Sequence, residues 1–331
     1  NWIPPPISAL NEVALKLRRD ADHGPFTVQS CDNLRGNGTA TRQAVVTLAR
    51  QSDTALAQWI EQNCSFPNSM VDCIVPATGR KELELVRSLG VEDDVPVTHE
   101  NFRQWGIEDD FCNGRPGWET AGATISAQVH DYEAMKLRML NGGHQVIAAP
   151  AEILGIETIA GAMAHPGIKA LLRKVALDEI APHVHDVPGM STAQYVDLID
   201  RRFSNPKIHD TVRRVAFDGS SRHTGAVLPG IRDSLAAGTP VEGLALSQAL
   251  WCRMCAGTRE DGSSIEPNDP VWDQLNAAAL AARDAPQTWL EQRQFYGALA
   301  ENARFSQAFA SWLSLIWADG VEAALRRYQQ G

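Results

Sequence analysis

Near Ser126 the sequence changes character: short apolar runs alternate with helical patterns before it, and helical patterns follow one another almost without relief after it. In the first stretch Leu10, Val13, Ala14 and Leu17 recur at helical spacing, which predicts an amphipathic helix over Ile7 to Arg19. After the Gly24-Pro25 break, Phe26-Thr27-Val28-Gln29-Ser30 reads as a short strand. It runs through Cys31-Asp32-Asn33-Leu34 into a Gly36/Gly38 loop and a helix from about Thr39 to Gln62. Met70 to Val75 is a second strand, stopped by Pro76. Strand, loop, helix and strand in this order predict the parallel sheet of an α/β domain. Ligands of such sheets lie beyond the carboxyl ends of the strands, where Asn33 falls.

Later helices are predicted over 131–154, 158–181, 191–203, 206–217, 228–237, 241–256, 270–284 and 305–328. Asn205-Pro206 reads as an N-cap followed by proline at the first helical position. Asp218-Gly219-Ser220-Ser221 reads as a turn and Asp261-Gly262-Ser263-Ser264 as a surface loop. The organisation is an α/β piece over 1–124 and an all-helical piece over 125–331, an ordinary division for 331 residues. No G-x-G-x-x-G or G-x-x-x-x-G-K-[ST] loop follows a strand. The first piece therefore reads as the second half of a nucleotide-binding fold whose opening unit precedes residue 1.

Charge narrows the partners. With 30 Lys+Arg against 40 Asp+Glu the net charge is −10, which argues against gripping nucleic acid or an anionic membrane. No apolar run approaches the ~20 residues of a membrane helix. Asn1-Trp2-Ile3-Pro4-Pro5-Pro6 has neither the basic nor the apolar region of a secretory signal, and the first residue is not Met. A fragment or processed product of a cytoplasmic protein is the expectation. Of six cysteines only Cys252 and Cys255 are close in sequence, and with no second Cys/His pair they read as buried thiols in a reducing compartment. His183-Val184-His185-Asp186 gathers metal-ligand types, but residues two apart face opposite ways when extended and no third ligand pattern is evident, so no metal is expected. Trp105, Trp118 and Trp251 are read as packing residues.

The densest chemistry lies between Glu133 and His144. On a helix turning 100° per residue, Lys136, Asn141 and His144 fall within an arc of about 140°. Glu133 stands i,i+3 to Lys136, as Asn141 does to His144. A lysine, an amide and an imidazole on one face form an acid–base and hydrogen-bonding set; a half-exposed helix with a solvated lysine has the same spacing. Gly142 and Gly143 each cost about 1 kcal/mol relative to Ala in a helix. They mark either close approach by another backbone or a ligand, or a break.

These residues resemble the long-chain polyol-specific dehydrogenases, the mannitol 2-dehydrogenase and hexuronate (fructuronate) reductase group. The resemblance rests on Ser30-Cys31-Asp32-Asn33 with Asn37-Gly38, Phe66 through Asp72, Gln104 through Asp109, Asn113 through Pro116, and Lys136 with Asn141 and His144. Arg202 through Pro206 and Asp218 through Ser221 carry it into the helical piece. It implies a zinc-independent, NAD-linked dehydrogenase (NADP being open) with a partial Rossmann-type domain followed by a helical substrate domain. It also implies that the glycine loop precedes this chain by on the order of one domain. Ser30, Asn33 and Asp72 are then the cofactor-side residues. The partner is a small sugar or polyol, and the protein is a monomer or homodimer.

Hydride loss from a secondary alcohol needs a base for the hydroxyl proton and donors for the developing alkoxide. Lys136 serves as base if its pKa falls from ~10.4 toward neutrality, and desolvation against Met135, Leu137 and Met139 lowers it. Glu133 opposes that shift when ionised and reads as a proton relay to water. The amides of Asn33 and Asn141 can donate to the substrate oxygen, and His144 orients the substrate or Asn141. Asp72 binds substrate hydroxyls, fixes the lysine, or is a loop carboxylate satisfied by backbone donors. Arg214 and Arg222 are either the substrate's far end or surface ion pairs. Arg222 stands where the family commonly has lysine, and a guanidinium fork suits a carboxylate better than an ammonium does. Gly143 stands where a hydroxyl residue is usual. The main expectation is a polyol/2-ketose oxidoreductase. Its rivals are a hexuronate reductase and, from another class, a non-catalytic helical binding module.

Overall fold

The computed structural model describes residues 7–331, so the reading of Asn1 to Pro6 lies outside the described residues. In space the chain forms two compact units, one of residues up to 74 with 101–133, the other of 75–100 with 134–331.

The first unit holds helices α1 (Ile7–Asp20), α2 (Asn37–Ser52) and α3 (Thr54–Asn63) and strands β1 (Ser69–Asp72), β2 (Gln104–Ile107) and β3 (Thr124–Ile125). Its core gathers Leu15, Val45, Val46, Leu56, Ile60 and Phe66. The helix expected over 39–62 is two helices because Asp53 is extended (φ −153°). Its N–H closes α2 on the Ala49 carbonyl at 2.7 Å, and its carboxylate caps α3 by accepting the Leu56 N–H at 2.9 Å. In α1 the expected apolar stripe is not the buried one. Leu15 is fully buried, whereas Leu10, Val13 and Leu17 are at least half exposed. The inward face is the one that also carries Arg19, paired with Asp53.

The sheet is mixed, not wholly parallel. β1 and β2 run antiparallel, with Ser69 opposite Ile107 and Asp72 opposite Gln104, and β3 joins β2 in parallel. Phe26 to Ser30 is not a strand. The Val28 N–H donates to the Ser65 carbonyl, and the Ser69 hydroxyl donates to the Ser30 carbonyl, where a ladder would need regularly paired backbone bonds.

The second unit begins with α4 (Arg80–Ser88); the chain re-enters it within α5 (Val129–Met135). There follow α6 (Gly142–Ile153), α7 (Ile159–Ala164), α8 (Pro166–Val175), α9 (Thr192–Phe203), α10 (Val212–Ala216), α11 (Gly219–Arg222) and α12 (Leu228–Ala237). The last are α13 (Glu242–Cys255), α14 (Trp272–Ala281), α15 (Gln287–Leu290), α16 (Arg293–Tyr296) and α17 (Ala303–Gln330). Among the described residues three π-turns interrupt the helices, at Lys136–Asn141, Ala176–Ile180 and His223–Val227.

Helix α13 is buried on every side from Gly243 to Cys255 and serves as the axis of the unit. Its N-terminus is closed from outside by Glu179, whose carboxylate accepts the N–H of Gly243 at 2.6 Å, the N–H of Leu244 at 2.8 Å and the Tyr328 hydroxyl at 3.0 Å. Cys252 and Cys255 lie on this axis, and burial pushes both thiols well above their ordinary range.

The cap-and-proline pattern expected at Asn205-Pro206 is found forty residues earlier in the chain. There His165 caps α8 with Pro166 at its first position, and Nδ1 accepts the Ile168 N–H at 3.3 Å. Asn205 instead folds back onto the Lys207 N–H at 3.0 Å, and α10 starts at Val212 under a Thr211 cap. Asp218–Ser221 is more than a turn, since Gly219 opens α11 behind Asp218 at φ 55°. Among the described residues no helix is long and apolar enough to cross a membrane.

Candidate active site

Lys136 and Asn141 are the first and last residues of a π-turn. An i→i+5 turn takes in one more residue than an α-turn, so residues five apart are rotated by much less than the ~140° of an α-helix. The arc containing Lys136, Asn141 and His144 is therefore narrower than α-helical spacing implies. Lys136 is 6% exposed, so it is no solvated surface lysine. Helix α6 continues straight from the π-turn through both glycines. A Cβ on Gly142 would lie 3.3 Å from the Ala226 carbonyl oxygen, and one on Gly143 would lie 2.9 Å from Leu172 Cδ1. The two glycines thus mark close approach and not a break.

His144 is buried at 7% exposure and lies flat on Phe203, with ring centroids 3.9 Å apart and planes 12° from parallel. Its Nε2 is buried without a hydrogen-bond partner among the described residues. Burial first, then the charges of Arg214, Arg202, Arg222 and Lys136, hold the imidazole well below its ordinary pKa, so it is neutral. Arg202 is neutralised by Glu100 through a buried bidentate pair at 2.7–3.2 Å. Arg214 holds Asp210 in a similar fork, Nε at 2.5 Å and Nη2 at 2.6 Å, which leaves Nη1 outside the pair. Arg222 is half-buried, and no carboxylate among the described residues lies within ion-pair distance of it. Burial and the nearby Arg214 lower its pKa.

In the first unit Asn33 sits on an exposed loop with Ser30 half-buried beside it, and Asp72 ends β1 at 3% exposure. The loop is shaped by Asn37. Its buried amide donates to the carbonyls of Asp32 (3.0 Å) and Ser69 (2.8 Å) and accepts the N–H groups of Gly38 (2.8 Å) and Ser69 (2.9 Å). Glu133 is also buried. One oxygen accepts the Gly36 N–H at 2.7 Å, and the other lies 3.3 Å from Nδ1 of the exposed His130. His130 also approaches Glu108 at 3.5 Å.

Sequence reasoning missed Asn37, His130, Phe203 and Asp210 as partners of the named residues. His130 stands i,i+3 to Glu133 and Asp210 i,i+4 to Arg214, spacings that could have found them. The stacking of Phe203 on His144, far apart in sequence, had no such signal. In the Pro-bounded loop, His183 Nε2 meets the Thr239 hydroxyl at 2.9 Å and Asp186 accepts the Thr192 N–H at 2.7 Å.

A Rossmann-type N-terminal domain followed by a helical C-terminal domain is the architecture of one class of dehydrogenase, and two family models match in that order. The mannitol dehydrogenase Rossmann domain matches residues 3–120, and the mannitol dehydrogenase C-terminal domain matches residues 128–317. The chain belongs to the mannitol dehydrogenase family. It is 52% identical over 315 residues to a mannitol 2-dehydrogenase of Cereibacter sphaeroides, covering 95% of this chain and 66% of that one. It is 41% identical over 278 residues to a D-mannonate oxidoreductase of Escherichia coli (strain K12), covering 82% and 57% respectively. The structure of Pseudomonas fluorescens mannitol 2-dehydrogenase in ternary complex with NAD and D-mannitol superposes with a TM-score of 0.92 at 32% identity, covering 99% of this chain and 67% of that one. The chain thus spans about two thirds or less of the curated relatives it matches.

Proposed function

We propose that the protein is an NAD-dependent oxidoreductase that interconverts a polyol and its 2-ketose, with Lys136 as general base and acid. The observation that carries this reading is the second unit's cluster: a buried Lys136, Asn141 one π-turn on, and a neutral His144 whose buried Nε2 lacks a partner. A buried polar atom without a partner is what a bound hydroxyl or carbonyl completes. Relatives named for mannitol and for mannonate support the substrate class, and the superposable enzyme holds NAD and D-mannitol.

In the oxidative direction Lys136 takes the hydroxyl proton, while the Asn141 amide donates to the oxygen as it gains charge. His144, held in plane by Phe203, places its Nε2 on the substrate. In reverse Lys136 returns the proton to the reduced carbonyl oxygen. Bound nicotinamide supplies the hydride acceptor. The donor set of the first unit suits a polar cofactor: we assign Ser30, Asn33 and Asp72 to it, on a loop that the Asn37 amide holds in shape before anything binds. Glu133, buried yet in reach of the exposed His130, is assigned to proton exchange with solvent. We keep 1–124 as the cofactor part and 125–331 as the substrate part.

A second reading, a reductase of a keto-sugar acid, is favoured by Arg222, a half-buried guanidinium with no ion-pair partner among the described residues. NADH oxidation by the intact enzyme, offered D-fructose and D-fructuronate side by side, separates the readings. Faster turnover of fructose supports the polyol dehydrogenase. Preference for fructuronate makes Arg222 a carboxylate clamp, and turnover of neither overturns both.

A further inference from the structure

We infer that His223 is a positioning residue for the Lys136–His144 helix, locked in one tautomer by a buried hydrogen-bond chain that begins at Trp289. The inference rests on the reading of that helix as the catalytic one.

The chain runs from Trp289 Nε1 to the Tyr296 hydroxyl at 2.6 Å, from that hydroxyl to Gln248 Oε1 at 3.0 Å, and from Gln248 Nε2 to His223 Nδ1 at 2.8 Å. Trp289, Tyr296 and Gln248 are 0% exposed and His223 is 2% exposed. An indole N–H can only donate, and this sets the direction of every later bond. Tyr296 accepts from Trp289 and turns its own proton to Gln248, which must therefore present its oxygen to the tyrosine and its NH2 to His223. Nδ1 of His223 then needs a lone pair, and the neutral ring carries its proton on Nε2. Burial favours the same neutral form, pushing the imidazole down to about 3.

The ring is clamped as well as hydrogen-bonded. Trp251 stacks on His223 at 4.2 Å and 11°, and Trp289 stands edge-on to Trp251 at 5.0 Å and 82°. A Cβ on Gly219 would lie 2.9 Å from Trp251 Nε1, so the same indole underlies both ends of the stretch from Gly219 to His223, with Arg222 inside it. His223 opens the π-turn that ends at Val227. The Ala226 carbonyl of that turn is the group that meets Gly142, the residue directly after Asn141. The residue that follows the first π-turn, which bears Lys136 and Asn141, therefore abuts the second, which is fixed by the chain to Trp289. Segments of this kind hold less regular hydrogen bonding than an α-helix and depend on their surroundings to keep their shape. The chain supplies that constraint, so the placement of Asn141 depends on groups that never touch substrate.

Tyr296→Phe tests this, because it deletes one hydroxyl from the middle of the chain and keeps the ring. In the intact enzyme, 15N NMR of labelled histidine, with His223→Gln for assignment, is expected to show His223 protonated on Nε2, and a tautomer mixture in Tyr296→Phe. Hydrogen exchange of amides 140–147 is expected to quicken at least tenfold in the variant, with α3 amides unchanged. kcat is expected to fall roughly tenfold, short of the hundredfold that an ångström of misplacement can cost, with KM for the sugar little changed. A role in packing alone would lower the melting temperature and leave kcat and the exchange of 140–147 as they were. That result, or a wild-type His223 protonated on Nδ1, overturns the inference. If the wild-type enzyme turns over neither sugar, the catalytic reading has failed by itself, and tautomer and exchange still decide whether the chain positions this helix.

Discussion

The imidazole of His144 lies flat on Phe203, 12° from parallel and 3.9 Å between centroids, with its buried Nε2 meeting no hydrogen-bond partner among the described residues. The stack sets the plane in which that nitrogen can bond, which a branched aliphatic side chain of similar bulk would not do. Phe203→Leu is therefore expected to lower kcat/KM roughly tenfold through a loosened imidazole. Stability is expected to change by less than about 1.5 kcal/mol if the volume is taken up by repacking. Steady-state kinetics beside thermal melts checks the pair of expectations; a variant with wild-type turnover would reduce Phe203 to filling.

Lys136→Ala is expected to lower kcat by roughly 10²- to 10⁴-fold, the usual worth of a positioned general base. Small primary amines added to the assay should restore part of it, because the truncated side chain leaves room in a site that is only 6% exposed at this residue. Lys136→Arg should not restore it, since a guanidinium does not give up its proton in proteins. Turnover of the alanine variant near the wild-type rate would remove Lys136 from the role of base.

Much of this site was legible in the sequence, because its lysine, amide and imidazole lie within nine residues of one helix and local spacing is what a sequence displays. The π-turn was not legible. Nothing in Lys136-Leu137-Arg138-Met139-Leu140-Asn141 departs from α-helical patterning, and the extra residue shows only in the backbone of the turn itself. The two glycines were the available hint, and close approach proved to be their meaning. In the first unit, apolar periodicity placed the buried face of α1 on Leu10, Val13 and Leu17, whereas the fold buries Leu15 and spends the same face on the Arg19–Asp53 pair. Periodicity reports which residues are apolar, not which neighbour covers them. Asp53 carried a visible signal as a helix cap, overridden in the reading by the long helical pattern around it.

Arg222 is proposed to meet the far end of the substrate. Arg222→Lys keeps the charge but exchanges a planar fork for a compact ammonium. For a neutral ketose the expected change in kcat/KM is under about threefold, whereas for a sugar acid the loss of a bidentate contact should raise KM about tenfold, near the 1.5 kcal/mol of a charge-assisted bond. Comparing the two substrates on wild type and variant reads the difference directly. Equal effects on both would show that Arg222 contacts neither end selectively.

Two buried groups should bend the pH dependence of stability in opposite directions. Burial pushes the folded His223 imidazole down to about 3 from the ordinary 6.5 of an unfolded histidine, so between those values the unfolded chain binds a proton that the folded one does not. Stability is then lost as pH falls below about 6.5, by up to ~1.4 kcal/mol per pH unit, and His144, depressed by the same burial, adds to the slope. Glu179 is raised by burial despite its backbone donors, so the folded chain keeps a proton that the unfolded chain has released. Its contribution is lost as pH rises from about 4.5 through the folded pKa. His223→Gln should flatten the acid side of a plot of urea midpoint against pH. Glu179→Gln should flatten the opposing slope and, by setting an amide NH2 against one of the N–H donors of α13, cost about 1–3 kcal/mol at pH 7. A His223→Gln profile parallel to wild type between pH 4 and 7 would mean that the imidazole is reached by water in the folded protein, and the closed chain from Trp289 would have to be opened.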